Sequence, residues 1–320
     1  MMTKHDTARF LAEHDNYVIL THRRPDGDTI GSAAGLCLGL RAIGKTAWVL
    51  QNRQLTSRLA PFVEGLVTQE VPEDATIVCV DIASIELLSF DAEPLADRIA
   101  LAIDHHGSNS LSVTNRLVQP GSAACGEIIL ELLQELGILL TKKMAEALYV
   151  AISTDTGCFK YSNTTDRTHL AAAALMEAGA QAYPINKVFF DTKSFARLQL
   201  ESRLTASMEL YGGGTVGLCT MPKSLLEELH ISEDDVDSIS GFARSVEGVE
   251  IGIMIREVEN GDGKISLRTS EKYNASDLCQ VLGGGGHAAA AGATVPGGIS
   301  AARHAILSVL AQRGIIRERG

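Results

Sequence analysis

Short apolar runs alternate with helix-like segments between residues 17 and 104, and this alternation restricts the fold more than any other feature of the sequence. A small-residue helix at 30–43 and a shorter one near 85–89 separate the runs. The predicted strands are 17–20, 46–50, 75–80 and 99–103. Such alternation is typical of a mostly parallel sheet flanked by helices. The N-terminal part of the chain is therefore predicted to be an α/β domain.

Acidic or imidazole side chains follow three of the four predicted strands. Parallel strands bring their carboxyl ends to one edge of a sheet, so these side chains are expected to meet in space. A predicted helix at 142–153, capped by Thr141, delivers one more carboxylate to the same edge. The set consists of His22, Asp26, Asp28, Asp81, Asp104, His105, His106 and Asp155.

Several carboxylates in one place repel one another unless cations neutralise them. Two divalent ions remove that repulsion, and mixed carboxylate and imidazole ligands suit manganese, with iron, cobalt, zinc or magnesium as alternatives. Gly27 is expected to turn the backbone so that Asp26 and Asp28 face different ions. Asp81, a lone acid at the end of a central strand, is well placed to be shared by both ions. A pair of ions about 4 Å apart holds the attacking and leaving oxygens of a phosphoryl displacement.

Each of these residues also has an ordinary structural interpretation when taken alone. Asp81 would cap a short helix, residues 155–157 would form a turn, and His105 would be a structural histidine. Their shared position at strand ends favours the joint metal site. Adjacent residues of an extended segment point in opposite directions, so the spacing leaves open whether His105 or His106 binds metal.

Composition excludes several classes of protein. The 320 residues are 45% hydrophobic, enough for two folded domains, and no apolar run approaches the roughly 20 residues of a membrane helix. The net charge of −11 argues against tight, sequence-independent binding of long nucleic acid. The polar N-terminus lacks the apolar core of a signal peptide, and the six cysteines lie far apart in mostly apolar runs. We therefore expect a cytoplasmic protein with reduced thiols and no membrane partner.

The pattern changes in the last third of the chain. We predict a first domain at 1–190, a connecting helix or linker at 191–211, and a second domain at 212–320. Two strand-like segments at 249–258 and 264–270 flank an Asn-Gly-Asp-Gly sequence, which is a strong hairpin signal. The second domain is therefore predicted to be a smaller α/β domain with a mixed sheet.

Four consecutive glycines at 283–286 stand directly before His287. Glycines leave their backbone N–H groups open, so such a loop can wrap a phosphate; taken alone, it would be a flexible connection. Arg268 and Ser270, at the end of a predicted hairpin strand, are suitable partners for a terminal phosphate. The predicted substrate-binding residues are Arg268, Ser270, Gly284, Gly285, Gly286 and His287.

Four residues near the acidic set admit two interpretations each. Phe159 and Tyr161 would either stack on a base or pack in the core. Arg23 and Arg24 would either neutralise a phosphate or be solvated or salt-bridged.

The order His22…Asp26-Gly27-Asp28, Asp81, Asp104-His105-His106 and Asp155 resembles the four motifs of the DHH phosphoesterase superfamily. The sequence Gly283-Gly284-Gly285-Gly286-His287 resembles the signature of the C-terminal domain that accompanies it. The whole layout is most similar to the bacterial nano-RNase and pAp-phosphatase family.

This resemblance implies a function and a set of roles. The family degrades very short oligoribonucleotides and linear dinucleotides to 5′-mononucleotides, and removes the 3′-phosphate of pAp to give AMP. One manganese ion would be held by His22, Asp26 and Asp81, and a second by Asp28, Asp81, His105 and Asp155. His106 would face the scissile phosphate, and Asp104 would orient the histidines. Substrate would lie in a cleft between the two domains.

Three other functions remain open at this stage: a cyclic-dinucleotide phosphodiesterase, a manganese inorganic pyrophosphatase, and a nucleotide sensor without catalysis. The second of these expects a basic pocket for phosphate ions instead of the glycine loop. Short RNA, dinucleotides or pAp are the expected substrates, and a homodimer is compatible with the sequence.

Overall fold

The structure, a computed structural model, describes residues 1–236 and 239–317, apart from the side chains of 233 and 234. Its contacts divide the chain into an N-terminal unit, Met1–Thr192, and a C-terminal unit that begins at Lys193. The domain limits expected at 190 and 212 stay predictions. The last three residues of the expected second domain, 318–320, lie outside the described residues.

A six-stranded parallel sheet forms the centre of the N-terminal unit. Its strands are β1 (Tyr17–Leu20), β2 (Ala47–Leu50), β3 (Val67–Thr68), β4 (Thr76–Val80), β5 (Ile99–Asp104) and β6 (Arg116–Val118). In space they follow the order β3-β2-β1-β4-β5-β6, so the strand order reverses between β1 and β4. Loops diverge at such a reversal and leave a crevice, which is where open α/β sheets place their sites.

The four predicted strands are confirmed to within one residue at each end. β1 is buried along its whole length, as expected for a parallel strand with both faces covered. β3 and β6 have two and three residues, too few for a hydrophobic pattern to reveal them.

Two helices of the N-terminal unit pack so closely that the beginning of one lies beside the end of the other. Its helices are α1 (Lys4–Glu13), α2 (Gly27–Ala42), α3 (Cys125–Glu135), α4 (Lys142–Asp155), α5 (Asp166–Glu177) and α6 (Ala182–Asn186). Gly27, Gly31 and Gly35 lie about one turn apart on α2, and a methyl group on any of them would collide with α4. Because α4 ends at Asp155, this contact sets Asp155 beside the beginning of α2.

A mixed six-stranded sheet lies in the described part of the C-terminal unit. Its strands are β7 (Glu209–Tyr211), β8 (Val216–Met221), β9 (Ile251–Glu257), β10 (Gly263–Thr269), β11 (Gly285–Gly286) and β12 (Ala290–Val295). The order is β11-β12-β10-β9-β8-β7, with β8 and β9 parallel and the other neighbours antiparallel. The helices are α7 (Phe195–Ala206), α8 (Lys223–Glu228), α9 (Glu233–Val236), α10 (Ala275–Gln280) and α11 (Gly298–Gln312). The predicted mixed sheet and the β9–β10 hairpin are confirmed.

Short 3₁₀ helices complete the description: Ala60–Val63, Ile85–Leu87, Glu93–Arg98, Gly212–Gly214 and Ile239–Ser245. A π-helical turn spans Lys187–Asp191. None of the described helices combines the length and the apolar character that crossing a bilayer requires.

Candidate metal centre

The first acidic motif lies between β1 and α2. Asp26 caps α2, because its Oδ1 accepts the backbone N–H groups of Asp28 at 3.0 Å and of Thr29 at 3.1 Å. The helix therefore begins at Gly27, earlier than expected. Gly27 is helical and has no left-handed backbone, so the tight turn expected there is wrong. The glycine is required instead by the approach of Thr154 on α4, which leaves no room for a Cβ.

Asp81 directly follows β4, and its two carboxylate oxygens face the imidazole nitrogens of two different histidines. Its φ of 58° lies in the left-handed region that residues other than glycine seldom adopt, and its side chain is 3% exposed. Oδ1 lies 3.5 Å from His105 Nε2, whereas Oδ2 lies 3.6 Å from His22 Nε2. Oδ1 has no hydrogen-bond partner among the described residues. A buried carboxylate oxygen in this position is costly unless a cation contacts it.

His22 and His105 turn their Nε2 atoms toward the carboxylates. His22 Nδ1 lies 2.9 Å from the carbonyl oxygen of Arg23, and His105 Nδ1 lies 3.2 Å from that of Ser122. A carbonyl oxygen only accepts, so each Nδ1 carries a proton and donates it. In the neutral ring Nε2 then offers a lone pair, which is the arrangement of metal-binding histidines.

Apart from Asp104, the residues of the predicted set bring their metal-donor atoms together in three groups, each within 4.8 Å. The nitrogen–oxygen separations of 3.5–3.6 Å are too long for good hydrogen bonds and suit atoms that share an ion about 2.1 Å from each. Together with the unpartnered Oδ1 of Asp81, this donor chemistry fits divalent cations. The groups are His22 with Asp26 and Asp81, Asp28 with His105 and Asp155, and Asp81 with His105 and His106.

Burial and mutual repulsion disfavour the ionised carboxyls when no cation is present. Burial, followed by the charge of Asp28, raises the pKa of Asp81 well above its usual value. Burial and the charges of Asp28 and Asp26 raise the pKa of Asp155 to about 8. Burial opposes charge on His22, but Asp26 and Asp81 outweigh it and raise the pKa of that imidazole. The centre therefore retains protons that a bound cation would displace.

Asp104 is fully buried and organises the Asp-His-His segment at the end of β5. Its Oδ1 accepts the backbone N–H groups of His105 at 2.8 Å and of His106 at 3.2 Å, and Nδ1–H of the His106 ring at 2.8 Å. Its Oδ2 accepts from Asn109 Nδ2 at 2.6 Å. Burial alone would raise the pKa of Asp104, but the hydrogen bonds from His106 and Asn109 outweigh it and lower that pKa. Asp104 therefore stays ionised and fixes the orientation of the His106 ring.

Asp28 is held by the beginning of α3, a link that the sequence analysis missed. Its Oδ2 accepts the backbone N–H of Cys125 at 2.7 Å, and its Oδ1 accepts that of Gly126 at 2.9 Å. Ser32, one turn along α2, donates its hydroxyl to the same Oδ1 at 3.0 Å. The residue that could have indicated this contact is Ala124. It occupies the N-cap position of α3 and its side chain cannot accept a hydrogen bond, so the first N–H groups of α3 need an acceptor from elsewhere.

Of the four residues with two interpretations, Arg23 and Phe159 make contacts within the fold, whereas Arg24 and Tyr161 are exposed. Arg23 Nη2 lies 2.6 Å from a Glu93 carboxylate oxygen, which is a salt bridge. The Phe159 ring stacks on His169 and packs against the core. Tyr161 is 58% exposed, with its ring against Gly157, where a Cβ would collide with it.

The residues predicted to bind substrate lie in the C-terminal unit, around Ala290 at the start of β12. Arg268 pairs with Ala290 across the sheet, and His287 donates its backbone N–H to the Ala290 carbonyl at 2.8 Å. A Cβ on Gly286 would lie 2.6 Å from that same carbonyl oxygen. Arg268 also donates to Ser240 Oγ at 2.9 Å.

Close packing explains part of the glycine run. A Cβ on Gly284 would collide with the carbonyl oxygen of Gly292, so close strand packing requires that glycine. Gly285 is exposed and a Cβ there would meet open space. Ser270 lies just beyond β10 and donates its backbone N–H to Glu250 at 2.9 Å.

Two family models match the chain. Residues 16–152 match the DHH family, N-terminal domain, and residues 222–313 match the DHHA1 domain. The first match includes every residue of the three donor groups except Asp155. The second includes all six residues predicted to bind substrate.

Known proteins resemble the chain over most of its length. The bifunctional oligoribonuclease and PAP phosphatase NrnA of Thermus thermophilus is 32% identical, covering 87% of this chain and 84% of that protein. The cyclic-di-AMP phosphodiesterase GdpP of Bacillus subtilis is 25% identical over 88% of this chain, which spans 45% of that longer protein. The crystal structure of an exopolyphosphatase-related protein from Bacteroides fragilis has a TM-score of 0.87 at 23% identity, covering 97% of this chain and 96% of that one.

The structural likeness supports the fold, and the relative from Thermus thermophilus confirms the resemblance drawn from the motifs. This chain therefore belongs to the DHH family, with a DHHA1 domain after its DHH domain.

Proposed function

We propose that this protein is a two-metal phosphoesterase that cleaves short oligoribonucleotides and linear dinucleotides to 5′-mononucleotides and converts pAp to AMP. The observation that carries the proposal is the position of Asp81. Its two carboxylate oxygens face two different donor sets, as a residue shared by two cations requires. The name of the Thermus thermophilus relative, an oligoribonuclease and PAP phosphatase, supports the substrates.

The proposed ligands follow the donor groups. His22, Asp26 and Asp81 would hold one ion, and Asp28, Asp81, His105 and Asp155 would hold the other. Manganese is the proposed metal, because it accepts carboxylate and imidazole ligands together. When bound, such a pair lowers the pKa of water and neutralises charge on phosphate oxygens.

His106 is the proposed proton donor to the phosphate ester. Its Nδ1–H donates to the ionised carboxylate of Asp104 at 2.8 Å, which fixes the orientation of the ring. The opposite nitrogen, Nε2, can then donate to a phosphate oxygen or to the leaving ribose oxygen. Asp104 does not need to contact substrate for this role, because it acts by setting the orientation of His106.

The C-terminal unit is proposed to bind the phosphate end of the nucleotide. Arg268 supplies a charged donor, His287 a ring donor and Ser270 a hydroxyl. Gly285 leaves its surface open, and Gly284 and Gly286 lie beside it in the same edge segment. The six residues lie in or directly beside β10 and β11, the two strands that pair with β12. The expected cytoplasmic location and the homodimer stay predictions.

A second candidate function is hydrolysis of cyclic dinucleotides. The likeness to the cyclic-di-AMP phosphodiesterase of Bacillus subtilis favours it, although this chain spans less than half of that protein. Hydrolysis of cyclic dinucleotides would use the same donor groups, so the two candidate functions differ in the substrate and not in the metal centre.

A substrate panel tests the proposal. The protein is stripped of metal with a chelator, restored with Mn²⁺, and given pAp, pApA, longer RNAs, cyclic di-AMP and pyrophosphate. We expect turnover of pAp and pApA that depends on Mn²⁺ and is lost in Asp81→Ala, with weaker turnover of long RNA. Faster turnover of cyclic di-AMP than of pApA would establish the second candidate, and turnover of none of the nucleotides would refute both.

A further inference from the structure

Three asparagine side chains fasten the backbone next to the predicted metal ligands. We propose that Asn52, Asn109 and Asn163 are positioning residues, which hold the donor atoms of the N-terminal unit in the arrangement that binds the ions. This inference rests on the proposed metal-dependent function. Each side chain uses its amide Nδ2 to join two segments of the chain, and none belongs to the donor groups.

Asn52 fastens the segment that carries His22. It lies just beyond β2 and is 6% exposed. Its Nδ2 donates to the carbonyl oxygen of His22 at 2.9 Å and to Thr21 Oγ1 at 3.0 Å. Its Oδ1 accepts the backbone N–H of Gln54 at 3.1 Å, which fixes the amide plane. The backbone of His22 is thereby tied to the end of the neighbouring strand.

Asn109 fastens the segments that carry Asp81 and His106. Its Nδ2 donates to Asp104 Oδ2 at 2.6 Å and to the carbonyl oxygen of Ile82 at 3.0 Å. The first bond supports the carboxylate that orients His106. The second holds the carbonyl group of Ile82, the residue that follows Asp81, whose left-handed backbone must be maintained by surrounding contacts.

Asn163 fastens the segment that carries Asp155. Its Nδ2 donates to the carbonyl oxygen of Asp155 at 3.1 Å and to that of Ala123 at 2.9 Å. Ala123 lies two residues before Cys125, whose backbone N–H holds Asp28. One amide therefore connects the supports of two ligands, Asp28 and Asp155, that face the same histidine.

The chemistry of the amide explains why asparagine suits all three places. Two N–H groups in one plane can bridge two acceptors with a single short side chain. The group is neutral, so it neither adds to the repulsion among the carboxylates nor competes with a cation for them. A lysine or arginine would compete with the cation for the carboxylates, and an aspartate would add to the repulsion among them.

The chain offers a matched control in Asn115. It is half-buried, like Asn109 and Asn163, and its Nδ2 donates to the carbonyl oxygen of Ala100 at 3.1 Å. This contact also joins two segments of the N-terminal sheet, but neither segment carries a donor residue at the contact. Asn115→Ala therefore removes a comparable hydrogen bond without touching the supports of the centre.

The test measures Mn²⁺ affinity of the metal-free full chain by isothermal titration calorimetry, beside thermal unfolding without metal. We expect Asn52→Ala, Asn109→Ala and Asn163→Ala each to bind Mn²⁺ about 10–100-fold more weakly than the wild type, as removal of outer supports does elsewhere. Asn115→Ala should keep an Mn²⁺ affinity within about threefold of the wild type, while its unfolding midpoint also falls because a half-buried hydrogen bond is lost. If an alanine variant does not fold, the corresponding Asn→Ser variant, which keeps one donor, replaces it and should show a smaller loss of affinity.

Wild-type affinity in the three variants, or an equal loss in Asn115→Ala, would overturn the inference. Turnover does not enter this measurement, so the two proposals fail separately. A wild type that binds Mn²⁺ but hydrolyses no nucleotide refutes the proposed function and leaves the role of the asparagines standing. A wild type that hydrolyses pApA, with variants that bind Mn²⁺ normally, refutes only the role of the asparagines.

Discussion

The carboxylate of Asp28 accepts the backbone N–H of Cys125 at 2.7 Å, so a side chain on α2 caps α3. The same Oδ2 lies 3.6 Å from His105 Nε2. One residue thus connects the packing of two helices to the position of His105, a proposed metal ligand. The partial positive charge at the beginning of α3 also favours the ionised form of Asp28.

Ser32→Ala should weaken metal binding through Asp28. The change removes a buried hydroxyl that donates to Asp28 Oδ1, so the carboxylate loses one of its supports. We expect Mn²⁺ affinity to fall about tenfold and the free energy of unfolding to fall by about 1 kcal/mol. Calorimetric titration and denaturant unfolding measure the two effects. Ser153→Ala, a buried serine that donates only within α4, is the control and should keep its affinity.

Without metal, the protein should lose stability as the pH rises. The pKa of Asp155 is raised to about 8 in the fold, and burial raises those of Asp81 and Asp28. Between the unfolded and folded pKa values the folded state binds more protons, so stability falls with rising pH. The raised pKa of His22 acts in the same direction.

Denaturant unfolding at a series of pH values, with chelator or with Mn²⁺, measures this effect. From about pH 5.5 to about pH 8 we expect the metal-free protein to lose more than about 1 kcal/mol of unfolding free energy, while Mn²⁺ prevents the loss. Metal-free protein that is equally stable at both values would contradict the electrostatic account.

Gly27→Ala should separate α2 from α4. The new methyl group would collide with Thr154, so α4 must shift and move Asp155 away from Asp28. Overpacking of this kind costs about 1–3 kcal/mol, and turnover should fall with it. Thermal unfolding and steady-state kinetics give the two values. Gly121→Ala, where a Cβ meets open space, should leave both unchanged.

Arg268→Gln should weaken substrate binding without affecting the metals. The change removes the charged donor proposed to contact the terminal phosphate, which should raise KM for pAp about tenfold or more. The Mn²⁺ affinity should match the wild type, because Arg268 lies outside the N-terminal unit that holds the donor groups. Arg203→Gln is the control, because it removes the same charge from the same unit by breaking an exposed ion pair with Glu228, and it should leave KM unchanged. An unchanged KM in Arg268→Gln would remove this residue from the proposed phosphate site.

The candidate metal ligands were easier to predict from the sequence than the residues that hold them in position. His22, Asp81 and the Asp-His-His segment follow apolar runs, and the edge where parallel strands end is a general property of such sheets. The partners of these residues depend on contacts far apart in the chain. Asn109 and Asn163 stand in loops, where asparagine is common for turn formation, so nothing local marked them as supports.

Two features of the backbone also lay beyond sequence reasoning. The left-handed conformation of Asp81 follows from the contacts around it, since aspartate itself is compatible with either region. The early start of α2 follows from capping by Asp26, which the sequence analysis assigned to a metal ion alone. In the first case the geometry came from tertiary packing, and in the second from a local capping contact of Asp26 with the backbone of Asp28 and Thr29.

The most direct test of the central claim is anomalous diffraction from crystals of the full chain grown with Mn²⁺. Two peaks should appear on either side of Asp81, one contacted by His22 and Asp26, the other by Asp28, His105 and Asp155. Manganese bound elsewhere, or a single ion that leaves one Asp81 oxygen without a metal contact, would contradict the two-metal account.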